Sequence, residues 1–286
     1  MSSNEPQVVS IATPSGLTIT GDHWPGQGSS VVLAHGGGQT RHSWSASAVT
    51  LADQGHNVLS LDLRGHGDSD WAANGNYAMH DFVGDHLAAI DWLGAAVHWV
   101  GASLGGSTGL YAVGAAADRF RSLTLVDITP APARAGIDRI LTFMAETSAA
   151  GFADLDEAAD AVAAYQPHRK RPTDTSGLEK NLRLGPDGRW RWHWDPAFVT
   201  SENSMTQERG RNDAARDIAR ALTLPTFLVR GKLSDLVTET EAQDFLELVP
   251  HADYVDVADA AHMIAGDKND VFMTSIIDFI SRHDGR

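Results

Sequence analysis

Apolar and polar positions along this chain follow two rhythms. Near the start, QVVSIAT and LTITGDHW alternate with a period of two around Pro14-Ser15-Gly16, which predicts a β-hairpin. From SSVVLAHGGG onward the strand-like segments become continuous apolar runs, repeated in NVLSLDLRGHG, VHWVGAS, RSLTLVD and LPTFLVRG, with a shorter run in DYVDVADA. Such runs fit strands covered on both faces. Between them the period lengthens. Met79, Phe82, Val83, Leu87, Ile90 and Leu93 recur at three- and four-residue spacing and draw one apolar stripe along a helix. Similar stripes follow Ser103, span 239–248, and close the chain at Val271, Phe272, Ile276, Ile277 and Ile280. Strands alternating with helices predict an α/β fold with a mostly parallel sheet covered on both faces.

The alternation stops between 131 and 211. This stretch holds an Ala-rich helical segment, the basic cluster His168-Arg169-Lys170-Arg171-Pro172, and RWRWHWDPAF, but no run suited to a central strand. The simplest arrangement is a cap inserted at 131–211 into a core built from 1–130 and 212–286. In the cap, Trp190, Trp192 and Trp194 alternate with Arg189, Arg191 and His193. That period of two predicts an extended segment whose aromatic face either packs the cap or lines a pocket. The basic cluster reads as solvated cap surface.

Composition narrows the function. With 286 residues the chain can bury a large core, and 42% apolar with 21% charged residues is ordinary for a globular protein. A formal charge of −15 argues against nucleic acid and anionic membranes as partners. The absence of cysteine excludes disulfides, thiolate metal sites and a cysteine nucleophile. No run approaches the roughly 18 apolar residues of a membrane helix, and MSSNEPQVVSIATPSG lacks the basic start and apolar stretch of a secretory signal. A cytoplasmic protein without membrane insertion is expected.

One polar residue stands out against this background. In WVGASLGGSTGL, Ser103 ends an apolar run, with Gly101, Ala102, Gly105 and Gly106 around it. Small neighbours suit a strand that turns at once into a helix, and Gly101-x-Ser103-x-Gly105 matches the strained elbow that lifts a serine nucleophile above a sheet. A serine hydroxyl needs a base, and the base needs an orienting carboxylate. Functional groups gather at the carboxyl ends of strands in doubly wound sheets. Asp235 follows LPTFLVRG and His262 follows DYVDVADA, giving the chain order Ser, Asp, His that goes with this elbow. Asp127, ending LTLVD, competes for the acid; the flanking motif favours Asp235. An oxyanion site needs backbone N–H groups. Leu104, just after the serine, and Gly37 in His35-Gly36-Gly37-Gly38 are expected to supply them, with Gly38 as the alternative second donor.

HGGGQTRHSW, LDLRGHGDSD, GASLGG, RGKLSDLV and AHMIAGD resemble the landmarks of the α/β-hydrolase fold, over nearly the whole length. Within that superfamily the chain is similar to the capped serine esterases, cofactor-free haloperoxidases and epoxide hydrolases, although Ser103 stands where the last carry an Asp nucleophile. The resemblance implies a doubly wound eight-stranded sheet with a mainly helical cap. It further implies acyl transfer through Ser103, His262 and Asp235 without metal or organic cofactor. The expected partner is a small or medium apolar ester or lactone, and a homo-oligomer is compatible. A perhydrolase, a carbon–carbon hydrolase or a slow ligand sensor would carry the same residues.

Other positions read as follows. His35 is expected to hold the glycine loop rather than act as a base, and Asp62, Arg64 and His66 to fix the turn after the fourth strand. Asp267 would cap the last helix or pin the histidine loop. Gly38, Trp44, Met263, Trp192 and Trp194, being near catalytic loops or on the cap's aromatic face, are expected at the pocket. No histidine pair stands at metal-ligand spacing with a supporting carboxylate.

Overall fold

The chain enters through the expected hairpin, in which β1 (Gln7–Ala12) pairs antiparallel with β2 (Thr18–Trp24). Gly16 turns the corner at φ +83°, a left-handed conformation that suits glycine. The computed structural model describes residues 5–165, 171, 173–208, 211–258, 260–262 and 269–285. After the hairpin come β3 (Ser30–Ala34), α1 (Ser45–Asp53), β4 (Asn57–Leu61), α2 (Met79–Leu93), β5 (Val97–Ala102), α3 (Leu104–Ala115) and β6 (Phe120–Val126). The main sheet resumes later with β9 (Thr226–Gly231), α8 (Glu239–Leu248), β10 (Asp253–Val257) and α9 (Met273–His283).

Eight strands lie in the order β1-β2-β4-β3-β5-β6-β9-β10, and only β2 runs against the rest. Every residue of β3 and β5 is buried, as continuous apolar runs require. Two cores cover the sheet. One gathers Trp44, Leu51, Ile276 and Phe279 from the α1 and α9 side. The other gathers Phe82, Ile90, Leu110 and Phe245 from α2, α3 and α8. The stripes read from sequence at 79–93, after Ser103, at 239–248 and at the chain's end all correspond to helices. The short α1 carries a fainter stripe, burying Ser47, Ala48 and Leu51.

Between β6 and β9 the chain leaves the main sheet. It forms α4 (Arg134–Ala150), α5 (Leu155–Tyr165), the strands β7 (Leu182–Leu184) and β8 (Trp190–Trp192), the short α6 (Ala197–Thr200), and α7 (Arg211–Arg220). β7 and β8 pair antiparallel as a small separate sheet, of which the sequence pattern announced the tryptophan strand but not its partner β7. The alternating tryptophans do lie in an extended segment. Trp192 is buried, with its Nε1 donating to Thr147 Oγ1 at 2.9 Å and its ring 5.3 Å from that of Phe152. Arg171 pairs with Asp156 and Asp160 of α5; His168, Arg169, Lys170 and Pro172 lie outside the described residues. Among the described residues, no helix is long and apolar enough to cross a membrane.

Candidate active site

Ser103 links β5 to α3 at φ +44°, in the left-handed half of backbone space that non-glycine residues seldom occupy. Its neighbours are small because the turn admits nothing else. A Cβ on Gly101 would lie 2.3 Å from Gly105 O, one on Gly105 2.6 Å from Ala34 O, and one on Gly106 2.5 Å from Ile128 Cγ2. The elbow is pinned by Ser103 N–H donating to Val126 O (3.0 Å) and Gly105 N–H to His35 O (3.0 Å). Strain of this kind persists only where surrounding contacts over-determine it.

His262 is buried, and its Nδ1 lies 2.7 Å from Oδ2 of Asp127. Asp127 follows β6 at φ +51°, a conformation Asp tolerates better than most residues. Its carboxylate is fully engaged: Oδ1 accepts Gly231 N–H at 3.0 Å, and Oδ2 also accepts the Ser234 hydroxyl at 2.8 Å. Asp127 N–H donates to Val229 O at 2.7 Å, which sets the residue over the end of β9.

The carboxylate expected on the histidine, Asp235, is therefore not there. Its side chain is 38% exposed and pairs with Arg139 of α4 at 2.6 Å. Main-chain geometry explains the difference. The RGKLSDLV loop turns Ser234 inward to Asp127 and Asp235 outward, while Gly136 packs so closely that a Cβ there would meet Asp235 O at 2.5 Å.

A cavity of about 840 Å³, counted out to its mouth in solvent, opens over Ser103 and His262. Gly37 and Leu104 line it beside the serine. Its apolar walls include Ile137, Ile140, Leu141 and Met144 from α4, with Phe198 and Met205 further along the inserted segment. The expected pocket residues that the structure describes are elsewhere. Trp44 is fully buried in the α1 and α9 core, Trp192 and Trp194 are buried away from the cavity, and Gly38 does not line it. Met263 and Asp267 lie outside the described residues. Sequence reasoning missed the α4 side chains, whose three- and four-residue spacing signals a helix stripe but not the surface it meets.

His35 has both ring nitrogens committed. Nδ1 donates to Gly36 O at 2.7 Å and Nε2 accepts Leu63 N–H at 3.0 Å. Burial lowers its pKa to about 4, so it is neutral and structural. The LDLRGHG turn is held by its own bonds. Asp62 accepts N–H groups from Arg41 (2.6 Å) and Asp68 (2.9 Å), and Arg64 grips Asp85 with two bonds of 2.6 Å. His66 Nδ1 donates to Arg64 O at 3.1 Å, and burial lowers its pKa to about 3. Among the described residues, no three His, Asp or Glu side chains gather as a metal site.

A family model described as the alpha/beta hydrolase fold matches residues 29–268. The chain belongs to the α/β-hydrolase fold family. This α/β hydrolase is 29% identical over 261 residues to esterase Rv0045c of Mycobacterium tuberculosis, spanning 87% of its own length and 82% of that protein. It is 28% identical over 270 residues to a 3-hydroxybutyrate-oligomer hydrolase of Cupriavidus necator, spanning 89% and 90%. The crystal structure of an E-2-(acetamidomethylene)succinate hydrolase superposes with a TM-score of 0.83 at 22% identity, over 96% of this chain and 99% of that one.

Proposed function

We propose that this α/β hydrolase is a serine esterase in which Ser103 is the nucleophile, His262 the base and Asp127 the orienting acid. The observation that carries the reading is the 2.7 Å pairing of His262 Nδ1 with buried Asp127, beside a cavity that Ser103 also lines. With Nδ1 engaged by the carboxylate, Nε2 is the nitrogen that can take a proton. Ser103 Oγ attacks the ester carbonyl carbon while His262 takes its proton. The tetrahedral intermediate then collapses, the alcohol leaving with that proton. Water, activated by the same histidine, cleaves the acyl-enzyme and frees the acid.

Negative charge on the carbonyl oxygen needs fixed donors. Leu104 opens α3, so its N–H has no acceptor within the helix. The direction of Gly37 N–H is set by the Gly36 carbonyl in the same peptide. Gly36 O is held by His35 Nδ1–H at 2.7 Å and Gln39 N–H at 3.1 Å. In a trans peptide the next N–H points the opposite way. Gly37 N–H is therefore the second donor, which gives His35 its role.

The inserted segment 131–211 acts as the cap, since α4 and α6 side chains form much of the cavity wall. None of the described lining residues is Lys, Arg, Asp or Glu, which favours a neutral ester or lactone with an apolar acyl part. Relatives named esterase and oligomer hydrolase support the same chemistry. The test is a fluorophosphonate probe with intact-mass readout, beside turnover of simple esters. One adduct mapping to Ser103, and its loss together with turnover by about 10⁴-fold or more in Ser103→Ala, is expected. Retained turnover in that variant would sink the reading.

A further inference from the structure

Behind the glycine loop two amides face each other. Gln39 and Asn269 are both fully buried. Gln39 Nε2 donates to Asn269 Oδ1 at 3.3 Å, and Asn269 Nδ2 donates back to Gln39 Oε1 at 3.1 Å. Gln39 Oε1 also accepts Gly36 N–H at 2.9 Å, while Gln39 N–H donates to Gly36 O at 3.1 Å. Gln39 thus holds both polar groups of Gly36. Asn269 opens the 3-10 turn Asn269–Phe272 ahead of α9, and borders a small void together with Ser103, Asp127 and His262.

Burying two amides is costly unless their donors and acceptors are met, and Met or Leu would fill this space without that requirement. What the amides add is direction. Gly36, Gly37 and Gly38 resist rotation weakly because they lack Cβ atoms. If Gly36 N–H lost its acceptor, the loop would keep only the two bonds on Gly36 O, and the peptide carrying Gly37 N–H could tilt about them. An N–H tilted off its aim loses much of its hold on the oxyanion.

We propose that Gln39 and Asn269 are positioning residues: their reciprocal amide pair aims Gly37 N–H at the oxyanion and fastens that loop to the chain just past His262. The inference rests on the reading of Gly37 as an oxyanion donor.

The test uses the full chain, a simple ester, and an alkylboronic acid that forms a tetrahedral adduct on a serine hydroxyl. In Gln39→Met, kcat should fall about 10- to 100-fold while KM stays within about threefold, because only transition-state binding is lost. The boronate Ki should rise by the same factor. The pH midpoint of kcat/KM should stay put, since His262 and Asp127 are untouched. Asn269→Leu leaves Gly36 its acceptor and should cost about fivefold in both quantities; the double variant should be no worse than Gln39→Met alone, as expected of residues acting as one unit. A folded Gln39→Met with parental kcat and boronate affinity, or one altered only in KM, overturns the proposal. If Gln39→Met does not fold, unchanged boronate affinity in Asn269→Leu overturns it. Failure of the parent reading looks different: the unmodified protein would ignore the boronic acid and tolerate Ser103→Ala.

Discussion

Two strand ends each offer a carboxylate, and they could hardly differ more. At the end of β6, Asp127 is buried and accepts bonds from Gly231 N–H, the Ser234 hydroxyl and His262. Past the end of β9, Asp235 stands in partial contact with solvent and pairs with Arg139 of α4, itself 43% exposed. A carboxylate that must stay ionised beside an imidazole needs several donors once it leaves water, and only the β6 end supplies them. The loop carrying Asp235 still serves the site, through its neighbour Ser234. The right loop contributes a hydroxyl where the sequence suggested a charge.

Exchanging the two acids for amides breaks this comparison most sharply. Asp127→Asn should lower kcat on the order of 10⁴-fold, because an amide holds the imidazole in the wrong tautomer. Asp235→Asn should leave kcat within about threefold, as an exposed ion pair contributes little. Ester kinetics on both variants decides the matter, and a larger loss in Asp235→Asn would return the acid to the β9 loop.

The choice was hard to read from sequence for a physical reason. Ser103 announces itself because Gly101, Gly105 and Gly106 are forced by backbone approaches under 3 Å. His262 follows from chain order, and the helices from their stripes. Both aspartates, however, follow apolar runs. What separates them is the pairing of β6 with β9, which sets Asp127 over Gly231 and within reach of Ser234. One chain's pattern does not encode that lateral register. The pocket was less legible still. Tryptophans look like pocket walls in a sequence, yet Trp44 and Trp192 meet other core surfaces, and the walls come from α4 aliphatics whose placement depends on how an inserted helix lands.

Burial at the sheet side has a second consequence, measurable without substrate. His35, His66 and His86 are buried and burial lowers their pKa values to about 4, 3 and 3. Each lies below the unfolded value near 6.5, so between those limits the unfolded chain binds protons the native chain refuses. Stability is therefore complete above pH 6.5 and falls as pH drops toward 4, by about 2 kcal/mol for each histidine at pH 5. Circular dichroism melts should show Tm lower by roughly 10–20 °C at pH 5 than at pH 7. A flat profile would mean these histidines reach water.

The smallest effect sharpens the comparison within a single loop. Ser234 and Asp235 are adjacent, one facing Asp127 and the other facing Arg139. Ser234→Ala removes one of the donors on the buried carboxylate, and a hydrogen bond to a charged group contributes about 1.5–3 kcal/mol. Because Gly231 N–H and His262 remain, kcat should fall by about tenfold rather than collapse. The loss should persist in 1 M salt, since screening acts weakly on buried pairs. The modest effect of Asp235→Asn should vanish in the same salt, because its partner is exposed. Side-by-side kinetics at low and high salt would separate the two neighbours, and a salt-sensitive Ser234→Ala would show that the Asp127 site is wetter than its bonds imply.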